Sequence, residues 1–170
     1  MIAAAILVIF PLCMAMAACS DLLTMSIPNR LSVVLLASFV AIAPFAGLSL
    51  EAFSLHIAAG AAVFAACFAL FALNVMGGGD AKILTASAVW FGFDASLVNY
   101  LVYVSVFGGL LSLLILAVRA NHNILMVSRV PVPQTMLHAR KVPYGIAVGA
   151  AAFVAYPSSP LMRAVAAAVY

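Results

Sequence analysis

A chain of 170 residues that is 68% hydrophobic and 6% charged cannot clothe a water-facing surface, since soluble domains carry roughly a quarter charged residues. A mean hydropathy of +1.30 places it among integral membrane proteins and excludes disorder, which needs low hydrophobicity and high charge. The net charge of +3 comes without any Lys/Arg run interleaved with aromatics, so no nucleic-acid partner is expected.

A bilayer core of about 30 Å takes about 20 helical residues, and six apolar stretches approach that length. The first, Ile2–Cys19, is read as a retained span. Met16-Ala17-Ala18-Cys19 loosely resembles the end of a lipoprotein leader, but no Lys or Arg precedes the apolar run as a secretory signal requires. Asp21 follows at the junction, then Ile27-Pro28-Asn29. Pro28 drives Ile27 out of the helical region, and Asn29 can pair with nearby backbone, which taken alone describes a capped turn.

The second span is Leu31–Leu50, and Glu51 sits in a short turn before the third, Ala52–Val75. His56 is expected to be a satisfied packing histidine, and Asn74 either to cap the helix end or to line the site. Next comes Gly77-Gly78-Gly79-Asp80-Ala81-Lys82. Three glycines at the end of a membrane helix are unfavourable by about 1 kcal/mol each relative to Ala, so close approach to that backbone is one explanation. An extended substrate chain lying there would place its peptide bond beside Asp80. The other explanation is a flexible C-cap, with Asp80 as the N-cap of the next helix.

The fourth stretch, Ile83–Phe93, has 11 residues and is too short to cross a bilayer unaided. It either starts or ends below the surface or is re-entrant. Asp94 occupies a short turn before the fifth span, Ala95–Val118, and the connection Arg119–Lys141 is basic, with a Pro-punctuated stretch at Arg129–Pro133. His122 and His138 fall in that loop, which is expected to meet anionic lipid headgroups. The sixth span is Val142–Tyr156. Gly145-x-x-x-Gly149 and Gly108-Gly109 read as close-packing positions between membrane helices. Cys13, Cys19 and Cys67 form no Cys-x-x-Cys pair, so neither a metal nor any other cofactor is expected.

The expected fold is therefore all-α: a polytopic membrane bundle of about six transmembrane helices in a single domain spanning 1–170. With six crossings, Arg30, Lys82, Arg119, Arg129, Arg140 and Lys141 share a side, opposite Glu51, Asp94 and Arg163. The positive-inside rule makes the first side cytoplasmic and leaves both termini outside. A re-entrant fourth segment would expel the basic loop.

Only four acids occur, and a carboxylate near lipid is expensive. Glu51 and Asp94 have water-exposed turns to occupy. Asp21 and Asp80 both lie at span–loop junctions on the cytoplasmic side, so they can meet at one depth. Two carboxylates within a few ångströms cannot both ionise cheaply; one keeps a proton and the pair titrates together. The ionised member can deprotonate a water, while the protonated one donates to a carbonyl oxygen and then toward the leaving nitrogen.

Asp21 with Ile27-Pro28-Asn29, then Gly77-Gly78-Gly79-Asp80-Ala81-Lys82, then Val142-Pro143-Tyr144-Gly145 together resemble the motifs of type IV prepilin peptidases. That resemblance implies an intramembrane aspartic endopeptidase with Asp21 and Asp80 as its catalytic pair. It further implies a prepilin substrate, cut where a short leader meets a hydrophobic helix at the inner face of a bacterial inner membrane. The chain lacks the cytoplasmic insertion with two Cys-x-x-Cys pairs found in the long, N-methylating members, and is similar to the short form associated with Tad/Flp pili. Within that resemblance Pro28 and Asn29 shape the loop at the site. Gly77, Gly78 and Gly79 offer backbone to the substrate. Lys82, two positions past Asp80, points away from it on a regular helix and is an interfacial anchor or a tuner of the pair. Tyr144 either hydrogen-bonds near the site or belongs to an aromatic belt.

Two readings from other classes compete with the peptidase. A small proton-coupled transporter would use Asp21 and Asp80 as a relay, with the glycines marking a broken helix, but no repeated half is evident in the chain. A non-catalytic pilus-assembly scaffold would leave the aspartates dispensable.

Overall fold

The computed structural model describes residues 2–120 and 142–169, and these are helical without a strand. The helices are α1 (Ile2–Thr24), α2 (Asn29–Ile42), α3 (Leu50–Ala72), α4 (Gly78–Phe91), α5 (Ala95–Ala120), α6 (Tyr144–Ala155) and α7 (Pro160–Val169), with a 3₁₀ turn at Tyr156–Ser158. The basic loop with Arg129, Arg140, Lys141, His122 and His138 lies outside the described residues.

All six predicted stretches are helical, with shifted boundaries. α1 runs past Cys19 to Thr24, so Asp21 sits inside a helix. The Ser20 hydroxyl donates to the Ser26 carbonyl, and the Thr24 hydroxyl donates to the Ser20 carbonyl. Met25 then stops the helix in the left-handed region at φ 53°. α2 ends at Ile42, well short of Leu50, because Pro44 cannot continue a helical ladder and Gly47 turns the chain at φ 74°. Ser49 caps α3, accepting from the Ala52 amide, which puts Glu51 in the first turn, where a carboxylate complements the helix dipole.

The glycine run opens α4 instead of closing α3. Gly77 is the extended residue before the helix, and Gly78, Gly79 and Asp80 form its first turn. Asn74, in the left-handed conformation at φ 57°, directly follows Leu73, which is the C-cap residue of α3. α7 has no counterpart in the sequence reading.

Among the described residues three helices, α1, α3 and α5, are long and apolar enough to cross a membrane, or up to four segments if the bent pair formed by α6 with its 3₁₀ turn and α7 counts as one. This is a helical membrane bundle, but helix length does not establish six crossings. α2 and α4 have 14 residues each, about 21 Å of helix. For α4 the shortness has a tertiary cause. Ile83, Ala86, Ala88, Trp90 and Phe91 are all fully buried, so neighbouring helices take the place of lipid around it.

Contacts fix the relative directions. α1 and α6 run antiparallel, from Asp21 against Gly145 to Ile6 against Tyr156, whose hydroxyl donates to the Ile6 carbonyl at 2.9 Å. α2 and α4 run parallel, linked by Lys82 to Asn29 and by the Trp90 indole N–H, which donates to the Leu35 carbonyl at 3.0 Å. α3 and α4 run antiparallel, with Phe71 against Gly78 and His56 against Val89. α4 thus runs from the glycine end of the core toward the Asp94 end, and α5 starts from that far end.

The far end is aromatic. Trp90 lies between Phe10 (5.4 Å between ring centroids) and Phe39 (6.0 Å), and Phe10 stacks on Tyr156 at 4.0 Å. His56 is buried, stacks on Phe39 and donates Nδ1–H to the Val89 carbonyl at 2.6 Å, as expected of a packing histidine. Trp90→Ala should lower stability in detergent by about 3–5 kcal/mol, because the cavity cannot collapse around fixed helices. A fall in unfolding midpoint worth under about 1 kcal/mol would contradict this central role.

At that end Asp94 accepts from the Ser96 amide at 3.1 Å and pairs with Arg163 of α7 at 2.8 Å. Partial burial pushes the Asp94 carboxyl up, but the hydrogen bonds from Ser96 and Arg163 and the guanidinium charge outweigh it and hold it below the usual value. A depressed carboxylate contributes stability in full above its unfolded value near 4 and loses it as pH falls through the lower folded value. Unfolding midpoints of the wild type and Asp94→Asn at low salt should thus differ at pH 7 and converge below about pH 4. An equal difference at all pH values would contradict the pair's role.

Candidate active site

The end opposite Asp94 gathers the C-terminus of α1 and the N-termini of α2, α4 and α6. Between them lies a polar cavity of about 240 Å³ lined by Asp21, Met25, Ser26, Ile27, Asn29, Gly77, Gly78, Gly79, Asp80 and Val142. At about 30 Å³ per molecule it has room for several waters. A second cavity of about 220 Å³, between α1, α6 and the 3₁₀ turn, is walled by apolar side chains such as Leu7, Phe10 and Phe153 and offers no acid–base chemistry.

Asp21 reaches the cavity from the last turn of α1 and is buried. Its Oδ2 accepts from the Gly145 amide at 2.7 Å. Asp80 reaches it from the first turn of α4, half-buried. Its Oδ2 stands 2.8 Å from where a Cβ on Gly77 would be, so the carboxylate folds back onto the residue preceding its own helix. Each carboxylate therefore lies against a helix N-terminus, where unpaired N–H groups carry partial positive charge. Asp80 is not the N-cap itself, because Gly77 holds that position.

The other expected residues divide. Gly77, Gly78, Gly79 and Asn29 line the cavity. Pro28 is exposed, extended at φ −62° and ψ 132°, and precedes α2. The Lys82 ammonium donates to Asn29 Oδ1 at 3.1 Å, an exposed bond that joins the start of α2 to the start of α4. Tyr144 does not line the cavity. Its ring packs on Gly108 of α5, so Gly108 serves packing as expected.

Two contributors escaped the sequence reading. Gly145 was read as a packing glycine, yet its amide holds Asp21. Ile27 was read only as the residue before Pro28, yet it is buried between Gly79 and Gly145. The available signal was Val142-Pro143-Tyr144-Gly145 itself, a proline-led helix start whose free amides need acceptors. Among the described residues no three His, Cys, Asp or Glu side chains gather around one point that could hold a metal ion.

A helical membrane bundle that brings two aspartates into one polar cavity at one of its ends is the class of protein these observations define. The profile of the type IV leader peptidase family matches residues 8–117, more than half of the chain, and the chain belongs to that family; it is a membrane peptidase. The matched region contains Asp21, Ile27-Pro28-Asn29 and the Gly77–Lys82 stretch, while Val142–Gly145 lies beyond it. Searches of curated proteins and of solved structures returned no match.

Proposed function

We propose that this protein is an aspartic endopeptidase that removes the leader of a type IV prepilin of the Tad/Flp kind, with Asp21 and Asp80 as its catalytic pair. The observation that carries the proposal is that these two acids, distant in sequence, line one polar cavity in a chain of the leader peptidase family. One carboxylate is ionised and takes a proton from water held between the two. The hydroxide equivalent attacks the scissile carbonyl, and the protonated partner donates to the carbonyl oxygen. Collapse of the tetrahedral intermediate then delivers a proton to the leaving nitrogen.

The extended backbone at Gly77 offers room for a substrate strand beside Asp80. Arg30, Lys82 and Arg119 share the cavity's end, which under the positive-inside rule supports a site at the cytoplasmic face of the inner membrane with the termini in the periplasm. The whole chain of 170 residues acts as one membrane domain on a prepilin whose hydrophobic helix lies in the same bilayer.

Co-expression with a small prepilin, followed by mass measurement of the pilin, tests the proposal. Loss of the leader mass in the presence of the wild-type enzyme is the expected result. Intact prepilin throughout, together with aspartate-dependent proton flux in proteoliposomes, would favour the transporter reading instead.

A further inference from the structure

Asp21 is anchored from a helix 124 residues away in sequence, and that anchor has no side chain. We infer that Gly145 is a positioning residue for the proposed reaction: its amide fixes one oxygen of Asp21, and its missing Cβ leaves the space in which that carboxylate stands. Helix α6, beyond the region that the family profile covers, thereby completes the site. This rests on the assignment of Asp21 and Asp80 as the catalytic pair.

Gly145 is the second residue of α6, and the preceding Pro143 provides no side-chain cap. Its N–H is thus one of the amides a helix start leaves without an internal partner. Asp21 supplies the acceptor across the α1–α6 interface. The 2.7 Å separation in a buried setting falls at the short end for amide–oxygen bonds, where charge-assisted ones lie. The bond also distinguishes the two oxygens of Asp21. With Oδ2 committed to Gly145, Oδ1 is left for chemistry in the cavity.

Steric observations point the same way independently. A Cβ at position 145 would stand 2.8 Å from Asp21 Cβ, 2.9 Å from Oδ2 and 3.0 Å from Ile27 Cδ1. The smallest possible side chain therefore displaces the carboxylate itself. Ile27 occupies the gap between the helices, with its Cβ 3.4 Å from the equivalent point on Gly79 of α4. One side chain consequently spaces the helix bearing Asp80 from the helix anchoring Asp21.

The bland alternative is that Gly145 only lets α1 and α6 pack closely. Gly149, one turn further on, does that at the same interface: its Cβ would stand 2.9 Å from Ala18 Cβ and 3.1 Å from the Met14 carbonyl, and it does not touch Asp21. It is the matched control.

The test compares purified wild type, Gly145→Ala, Gly149→Ala and Gly145→Ala/Ile27→Val on a synthetic prepilin, with unfolding midpoints measured on each. Gly145→Ala should lose about 100-fold in kcat, the scale of an ångström-sized misplacement, with KM changed by less than about twofold. Gly149→Ala should lose comparable stability but keep kcat within about threefold. Adding Ile27→Val should not restore Gly145→Ala, because the carboxylate clash remains. Wild-type kcat in Gly145→Ala, equal activity losses in both glycine variants, or rescue by Ile27→Val would each overturn the inference. If Gly145→Ala does not fold, the asymmetric carboxylate stretch of isotope-labelled Asp21 in the wild type decides: the inference requires a band shifted by one strong hydrogen bond, and a symmetric, solvated band overturns it. The catalytic assignment fails separately, if Asp21→Asn or Asp80→Asn still cleaves.

Discussion

Asp21→Asn and Asp80→Asn are each expected to lower prepilin cleavage by about 10⁴-fold or more, the scale of losing one member of a catalytic unit, with little change in KM. Asn preserves the size of the side chain but can neither take a proton from water nor donate one from a carboxyl group. Each substitution therefore removes half of the acid–base exchange while leaving the cavity walls in place. Glu51→Gln should retain wild-type activity, because Glu51 opens α3 at the other end of the bundle. Following leader mass against time for the three variants separates the acids. Loss of cleavage in Glu51→Gln together with retention in either aspartate variant would reverse the assignment.

Gly77→Ala should separate stability from activity. The residue is extended, with φ −73° and ψ 143°, so Ala adopts its backbone conformation without strain. Losing a glycine from the unfolded chain stabilises by about 0.4–1 kcal/mol at such a site. The added Cβ, however, would lie 2.8 Å from Asp80 Oδ2, and the carboxylate must move to accept it. A displacement of that kind costs about 100-fold in kcat. The expected result is an unfolding midpoint at or above the wild-type value with cleavage reduced about 100-fold. Parallel loss of both would mean that Gly77 serves the fold and not the placement of Asp80.

Much of this site was legible because the chain is so poor in charge. In a sequence with four acids, two of them without a water-exposed turn to justify them are conspicuous, and alternation of spans brings both to one end. Their capacity to share a cavity followed from that parity. What local pattern could not show is which helix ends line the cavity. Lys82 illustrates the difference: spacing shows that it points away from Asp80, but its partner Asn29 sits on another helix and only the parallel packing of α2 and α4 makes them neighbours.

The length of the fourth span was not legible for a related reason. Eleven apolar residues are too few for lipid, yet α4 begins at the glycines and is surrounded by protein, so bilayer thickness is not what sets its length. Gly145 was hidden by a legitimate pattern, Gly-x-x-x-Gly, in which only Gly149 acts as pure packing. The segment after Tyr156 carried Pro157 and Pro160, which look like the end of structure, yet Pro160 fits the first turn of α7, where its missing N–H does no harm.

The central claim is that one ionised and one protonated carboxylate must be present together in the cavity. The pH dependence of kcat/KM for leader removal by purified enzyme in proteoliposomes tests it most directly. A coupled pair predicts a bell-shaped profile whose two apparent pKa values belong to the pair. A single acid limb rising to a flat alkaline plateau would show that only one carboxylate titrates in catalysis and would contradict the account.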